Sequence, residues 1–171
     1  MSWSPVRPDL RFGTQILTNL HTYLKANADA AVTWANGNVA LTPYARIETN
    51  TRISKEHPSL AVVEARNQPT WDDSSYATAI SQEFLIETIV SGTAPGKLLE
   101  ELRIRVVANW QLIISITEAE LMAGMAGSFT QPVVELNSAV FSGVRKPETS
   151  GGLYEQTALQ SFTVSYTQVN S

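Results

Sequence analysis

The sequence predicts an α+β fold in which a mostly antiparallel sheet carries two main helices packed on one face. Leu17, Leu20 and Leu24 recur at helical spacing, as do Leu98, Leu102, Val106, Trp110 and Ile113 behind Pro95. Phe84, Ile86, Thr88 and Val90, and later Phe162, Val164 and Tyr166, fall instead on alternate positions, the period of a strand. At 171 residues the chain is expected to form a single domain over residues 1–171, with a flexible N-terminal arm at 1–8.

The first helix is expected within Asp9 to Ala28, starting at Thr14 if Gly13 is excluded, since glycine costs about 1 kcal/mol in a helix interior. Val32 and Trp34 then alternate toward Asn36-Gly37, with Val39 and Leu41 beyond it, the pattern of a β-hairpin. Residues 33–55 therefore read as a hairpin or extended-arm insertion, in which Tyr44 to Ile53 suits an arm or edge strand. Pro58 leads the nearly continuous apolar run Ser59 to Glu64, expected as a central strand. A polar loop from Arg66 to Ser75 is expected next, then a strand from Ser81 to Val90.

Pro95 suits the first turn of the second main helix. Thr117 and Glu120 have the spacing of a capping box, which predicts a short third helix ending by Gly124 or Gly127. Strand patterns return from Val133 to Val144 and from Leu159 to Val169, around the turn-forming segment Lys146 to Gly152.

Composition narrows the functions open to this chain. It has no cysteine, which removes disulfides, zinc ribbons and thiol nucleophiles. Net charge is −4 and no Lys/Arg stripe offers to neutralise phosphates, so a grip on nucleic acid is not expected. No apolar run approaches the roughly 20 residues of a membrane span. Met1-Ser2-Trp3-Ser4-Pro5 lacks the blocks of a secretory signal, and a cytoplasmic setting is expected.

Candidate chemistry is thin. Gly92 to Leu98 approaches a phosphate-binding loop with Lys97, yet its glycines are one residue too close and Leu98 replaces the Mg²⁺-binding hydroxyl residue. A strand-to-helix turn explains it better. His21 and His57 are the two histidines, one at the border of a helical stripe and one in a turn before Pro58, and neither has a visible chemical partner. The acidic pairs Asp72-Asp73, Glu100-Glu101 and Glu118 with Glu120 suit solvated surface and helix N-termini. No catalytic, cofactor-binding or metal residues are assigned. Trp71, Asp72 and Asp73 in the first polar loop, and Arg145, Lys146 and Glu148 in the second, are candidates for partner contact, because long turn-rich loops between strands carry recognition.

The order of these elements resembles the tail terminator and head-tail joining proteins of tailed bacteriophages. His57-Pro58-Ser59-Leu60-Ala61-Val62-Val63 looks like their proline-led core strand, and Phe162-Thr163-Val164-Ser165-Tyr166 like their final strand. The stretch from Thr33 to Lys55 is longer than that pattern has. The resemblance implies a non-enzymatic virion subunit assembled in a bacterial host. Its partners would be copies of itself in a ring, commonly hexameric, then tail tube and neck or connector proteins, with DNA as passing cargo and no membrane. Another tail or baseplate subunit, or a small ligand-binding domain or enzyme, remains the alternative.

Overall fold

The computed structural model describes residues 12–49, 56–72, 77–125, 128–148 and 151–169. The expected arm at 1–8 lies outside them. In chain order the elements are α1 (Phe12–Ala35), β1 (Arg46–Thr49), β2 (Ser59–Asp72), β3 (Ala77–Gly92), α2 (Pro95–Ser115), α3 (Glu118–Leu121), β4 (Ser128–Phe129), β5 (Val133–Phe141) and β6 (Tyr154–Val169). The fold is α+β. β1 pairs β2 in parallel and every other described pairing is antiparallel, along β1-β2-β3-β6-β4 with β5 also on β6.

α1 runs past its expected end and absorbs Val32 and Trp34, so the expected hairpin does not form. Ile16, Leu20, Leu24, Ala28 and Val32 are all buried and continue one stripe at intervals of four. Asn36-Gly37 stops a helix here. Asn38 N donates to Thr33 O at 2.9 Å and Gly37 N to Trp34 O at 3.2 Å, with Gly37 at φ 65°, the bond pair of a Schellman ending. The expected edge strand in the arm is realised as β1, and residues 50–55 lie outside the description.

β2 and β3 are both longer than expected. The predicted loop after Arg66 is strand as far as Asp72, beyond a bulge between Glu64 and Arg66. Pairing to β3 overrides the turn-forming residues, and Pro69 is tolerated because β1 flanks β2 only as far as Val62. β3 and β6 then pair without a register shift from Ala77↔Val169 to Gly92↔Tyr154. α2 begins at Pro95 as expected and holds to Ser115 despite its β-branched end. The capping box of α3 is present, with Glu120 N donating to Thr117 Oγ1 at 3.2 Å and Thr117 N to Glu120 Oε1 at 3.2 Å.

The core lies between the helices and one face of the sheet. Ile16, Leu20 and Leu24 of α1 and Leu112 and Ile113 of α2 pack on Leu60, Val62, Ile80, Phe84, Ile86, Phe162 and Val164. Phe84 and Phe162 stack at 5.5 Å between centroids. Burial of each such side chain contributes about 1.5–3 kcal/mol. A second cluster of Val90, Leu98, Leu102, Val106 and Ala158 lies under the first half of α2.

Polar groups are built into the same face. Asn109 Nδ2 donates to Gln160 Oε1 at 2.8 Å and to Thr88 Oγ1 at 3.1 Å, while Gln160 Nε2 donates to Val106 O at 3.1 Å. Arg105 is fully buried, bonded through Nη2 to Thr42 O at 2.7 Å and Glu101 Oε1 at 2.9 Å, and its guanidinium lies 4.5 Å from the Tyr44 ring centroid. Tyr44 is half-buried as a residue, but its hydroxyl oxygen is enclosed. Burial pushes its pKa up to about 12, and the positive Arg105 opposes that rise.

Two predictions follow from this packing. Val164→Asp should unfold the protein, at a cost of about 4 kcal/mol or more, because its position is fully buried on the helix side. Thr163→Asp faces the other way, still offers an acceptor to Asn137 Nδ2, and should cost about 1 kcal/mol through like-charge repulsion from Glu83 and Glu135 opposite it. Denaturant titration of the two variants separates these outcomes. Tyr44 supplies a pH test, since the unfolded chain loses its phenolic proton near the ordinary tyrosine value of 10.0 and the folded chain near 12. The folded state thus holds more protons between those values, so stability is full below pH 10 and falls by roughly 2–3 kcal/mol as pH rises to 12. Thermal melting of the parent beside Tyr44→Phe should show the variant losing less stability over that interval.

Candidate functional site

Chemistry-bearing side chains meet at one end of the sheet. His57 Nε2 donates to Glu155 Oε1 at 3.1 Å, Ser59 Oγ lies 3.3 Å from His57 Nδ1, and Arg145 Nη2 approaches Glu155 Oε2 at 3.4 Å. His57 therefore has the partner that the sequence did not show, a carboxylate from β6. His21 Nε2 donates to Ile47 O at 2.9 Å, so the two histidines have separate partners. Ser59 is 7% exposed and sits in β2, which closes its hydroxyl to a substrate. The row Ser59-His57-Glu155-Arg145 is a strut that ties the start of β2 to the start of β6. Among the described residues no group of three or more His, Cys, Asp or Glu side chains is placed to hold a metal.

The near-match to a phosphate loop is a strand-to-helix turn, with Lys97 N donating to Ala94 O at 3.1 Å and Leu98 in the core.

The surface with the plainest physical peculiarity is the outer edge of β5. Among the described residues β5 pairs on one side only, with β6, and a bulge between Leu136 and Ser138 makes Asn137 the extra residue. Asn137 Nδ2 donates to Thr163 Oγ1 at 2.8 Å and Ser161 Oγ at 3.3 Å. The bulge puts Val134, Leu136, Ala139 and Phe141 opposite Val164, Phe162, Gln160 and Ala158, hence on the helix side, and Val133, Glu135, Ser138 and Val140 on the open side. Without it the outer half of β5 would turn over, exchanging Val140 and Phe141.

Apart from the bulge, this edge lacks the usual protections. Edge strands normally carry lysines, inward-pointing charges or proline, and the nine residues of β5 contain one charge, Glu135, and none of the rest. Val133 is 55% and Val140 61% exposed. Beside it, α2 turns out Val107 and Ile114, 51% and 59% exposed, in line with half-buried Trp110 at i, i+3 and i+7. Trp110 and Phe141 close on the same small cluster, which places this flank on the β5 side. α2 reaches Gln160 of β6 through Val106 and Asn109, yet Leu136 and Ala139 of β5 stay exposed on the helix side. Edge and flank form one apolar border.

The opposite edge is closed. His21 takes up the Ile47 carbonyl, Asp29 Oδ1 accepts from Tyr44 N at 2.9 Å just before β1, and Arg46 pairs Glu56 at 3.1 Å.

No family model matches this chain, and no curated protein matches it. Among solved structures, a chain described as "Virion of native gene transfer agent (GTA) particle" aligns over 92% of this chain and 98% of its own length, with 11% identity and a TM-score of 0.43. At that score the likeness is distant.

The residues expected to meet partners are not brought together. Trp71 and Asp72 end β2 rather than sitting in a loop, and Asp73 lies outside the described residues. Arg145 bridges Glu155 through backbone bonds of 2.9 and 2.7 Å as well as its side chain, and Lys146 Nζ lies 5.2 Å from the Tyr154 ring centroid. Glu148 is exposed. Asp72 pairs near Val169 through Ala77, and Arg145 pairs Glu155, so the two groups stand at opposite ends of β6, about 45 Å apart along the strand. The spacing Val107, Trp110, Ile114 was visible in the sequence as a second helical stripe beside the core stripe.

Glu155 holds both His57 and Arg145 with little solvent around it, its side chain 12% exposed. Glu155→Ala should therefore lower stability by about 1–3 kcal/mol, a fall of a few degrees in Tm, with helix content unchanged by circular dichroism. A variant as stable as the parent would show that the strut contributes nothing.

Proposed function

We propose that this chain is a structural subunit of a tailed-phage-type virion, of the tail terminator or head-tail joining kind. In this reading copies form a ring, hexameric as the sequence resemblance implies, which caps the tail tube, joins it to the neck or connector proteins and lets DNA pass through its axis. The chain is assembled in the host cytoplasm and ends in the particle. It performs no catalytic step.

The observation that carries the reading is the apolar border formed by β5 and the α2 flank. An uncovered edge strand of this length, low in charge and continuous with exposed Val107 and Ile114, is a surface built to be covered by protein. The order of elements supports the same assignment, with a proline-led core strand and β6 as the closing strand of the sheet. The two partner-contact groups add a direction. Trp71 and Asp72 at one end of the long strands, and Arg145, Lys146 and Glu148 at the other, suit contacts with two different neighbours along a tail axis, tube on one side and neck on the other. A net charge of −4 suits a channel wall that does not hold DNA.

The test is electron microscopy and sedimentation of the purified chain, alone and with tail tubes. Rings with an axial hole that seat on tube ends are the expected result, and shortening Lys146 to Gly152 should reduce seating while leaving Tm within a few degrees. A chain that neither forms rings nor binds tubes at any concentration would overturn the proposal.

A further inference from the structure

The two outer edges of the sheet match each other. We infer that the first half of β5 in one copy pairs antiparallel with the uncovered stretch of β2 in the next copy, setting Glu135 of one against Arg66 of the other. This contact rests on the ring proposed above and names the two surfaces that close it.

Strand direction permits the pairing. β2 and β6 run the same way, β5 runs against both, and β2 and β5 lie on opposite sides of the β3–β6 pair. Copies related by rotation about an axis along the strands therefore bring β5 of one beside β2 of the next in antiparallel order, with the helices of both on the same side. Such a head-to-tail contact repeats around a ring, and every long strand keeps one direction. Both edges are open where they meet, because among the described residues β1 flanks β2 only as far as Val62 and β5 pairs with β6 alone.

Register and charge agree. Traced across the paired strands, Glu135 lies level with Thr163, Glu83 and Arg66, all on the open side. An axis along the strands sets equal levels side by side, so Glu135 meets Arg66 of the next copy and Val133 meets Gln68. Glu135 is the one charge in β5, and Arg66 is the one cation in β2 and is exposed. Arg66 then stands between Glu83 of its own copy and Glu135 of its neighbour, a favourable cross-strand arrangement.

Neighbouring registers are worse. Sliding β5 two residues toward Asp72 sets Val134 against Pro69, which has no N–H to donate, and sliding it two residues the other way sets Glu135 against Val63, beside β1. In the inferred register Pro69 falls past Val133, level with the break between β4 and β5 that holds Pro132. The bulges of β2 and β5 also stand at one level, beside Phe162, so both edges bend together, and below that bend β1 takes over the flank of β2. On the helix side α2 lies toward β5 and α1 over β1, so Val107 and Ile114 of one copy face the α1 side of the next.

The absence of native cysteine makes the test direct. Gln68→Cys and Val133→Cys combined in one chain should give, under mild oxidation, a ladder of covalent multimers, since residues opposite each other in a ladder stand within disulfide reach. Either substitution alone should give none. Arg66→Glu and Glu135→Arg alter exposed side chains and should leave the fold intact by circular dichroism, yet each should weaken self-association by about tenfold or more in sedimentation equilibrium, and the two together should recover most of that loss. A covalent dimer from Val133→Cys alone, or single charge variants that assemble as the parent does, would overturn the inference. Rings that survive both charge reversals in electron micrographs, with no covalent ladder from the double-cysteine chain, would sink this contact and leave the ring standing. A parent chain that stays monomeric at all concentrations would sink both.

Discussion

The unbroken register between β3 and β6 is the constraint on which this structure depends. Paired positions are both even or both odd along the whole length, so the two strands share one parity. Every even-numbered residue from Ile80 to Val90 and from Gln156 to Gln168 is buried, and the odd ones are only partly covered. No residue in either strand chooses its side alone. Five of these buried even positions are polar, namely Gln82, Thr88, Gln156, Gln160 and Gln168, and each such side chain needs partners under the helices. Asn109 is placed where it serves Thr88 and Gln160 together, and Tyr166 donates its hydroxyl to Gln82 at 3.2 Å. The position of α2 on the sheet is set by these bonds as well as by Leu102, Val106 and Ile113.

That constraint explains which parts of the fold were legible. Strict alternation in β3 and β6 shows in any reading of Phe84 to Val90 or Phe162 to Tyr166, and the stripe of α2 shows behind Pro95. The end of α1 is ambiguous in the sequence because Val32, Trp34, Val39 and Leu41 alternate around an Asn-Gly pair, a local pattern shared by a hairpin and a helix stop. The outcome was decided by Val32 fitting under the stripe of Leu24 and Ala28, a tertiary effect with no local signature. Likewise Asn67, Gln68, Pro69 and Thr70 read as loop, and are strand because β3 lies alongside them.

The candidate interface was less legible still. In the sequence, contact candidates fall in long loops, where turn-forming residues advertise themselves. An edge strand cannot be told from an inner one by composition when its neighbours are unknown, and the bulge at Asn137 that decides which side of β5 is apolar has no distinct spelling. His57 shows no partner in the sequence because Glu155 lies 98 positions away, and only the pairing of β2, β3 and β6 brings the two to 3.1 Å. Long-range polar contacts of this sort are invisible to periodicity.

The place of β6 has a consequence for how the molecule comes into being. It is the last strand described, yet β3, β4 and β5 all pair with it, and half of the buried sheet face belongs to it. During synthesis the β2–β3 hairpin emerges long before that partner, and α2, α3, β4 and β5 are all made while the inner edge of β3 waits. Formation of the native core is therefore a late, cooperative event with large loop closure, slow beside the local folding of α1 or α2. Until then Phe84, Ile86 and Val90 are open to the wrong strand, which gives chaperones a reason to hold this chain and makes its half-made sheet prone to aggregate.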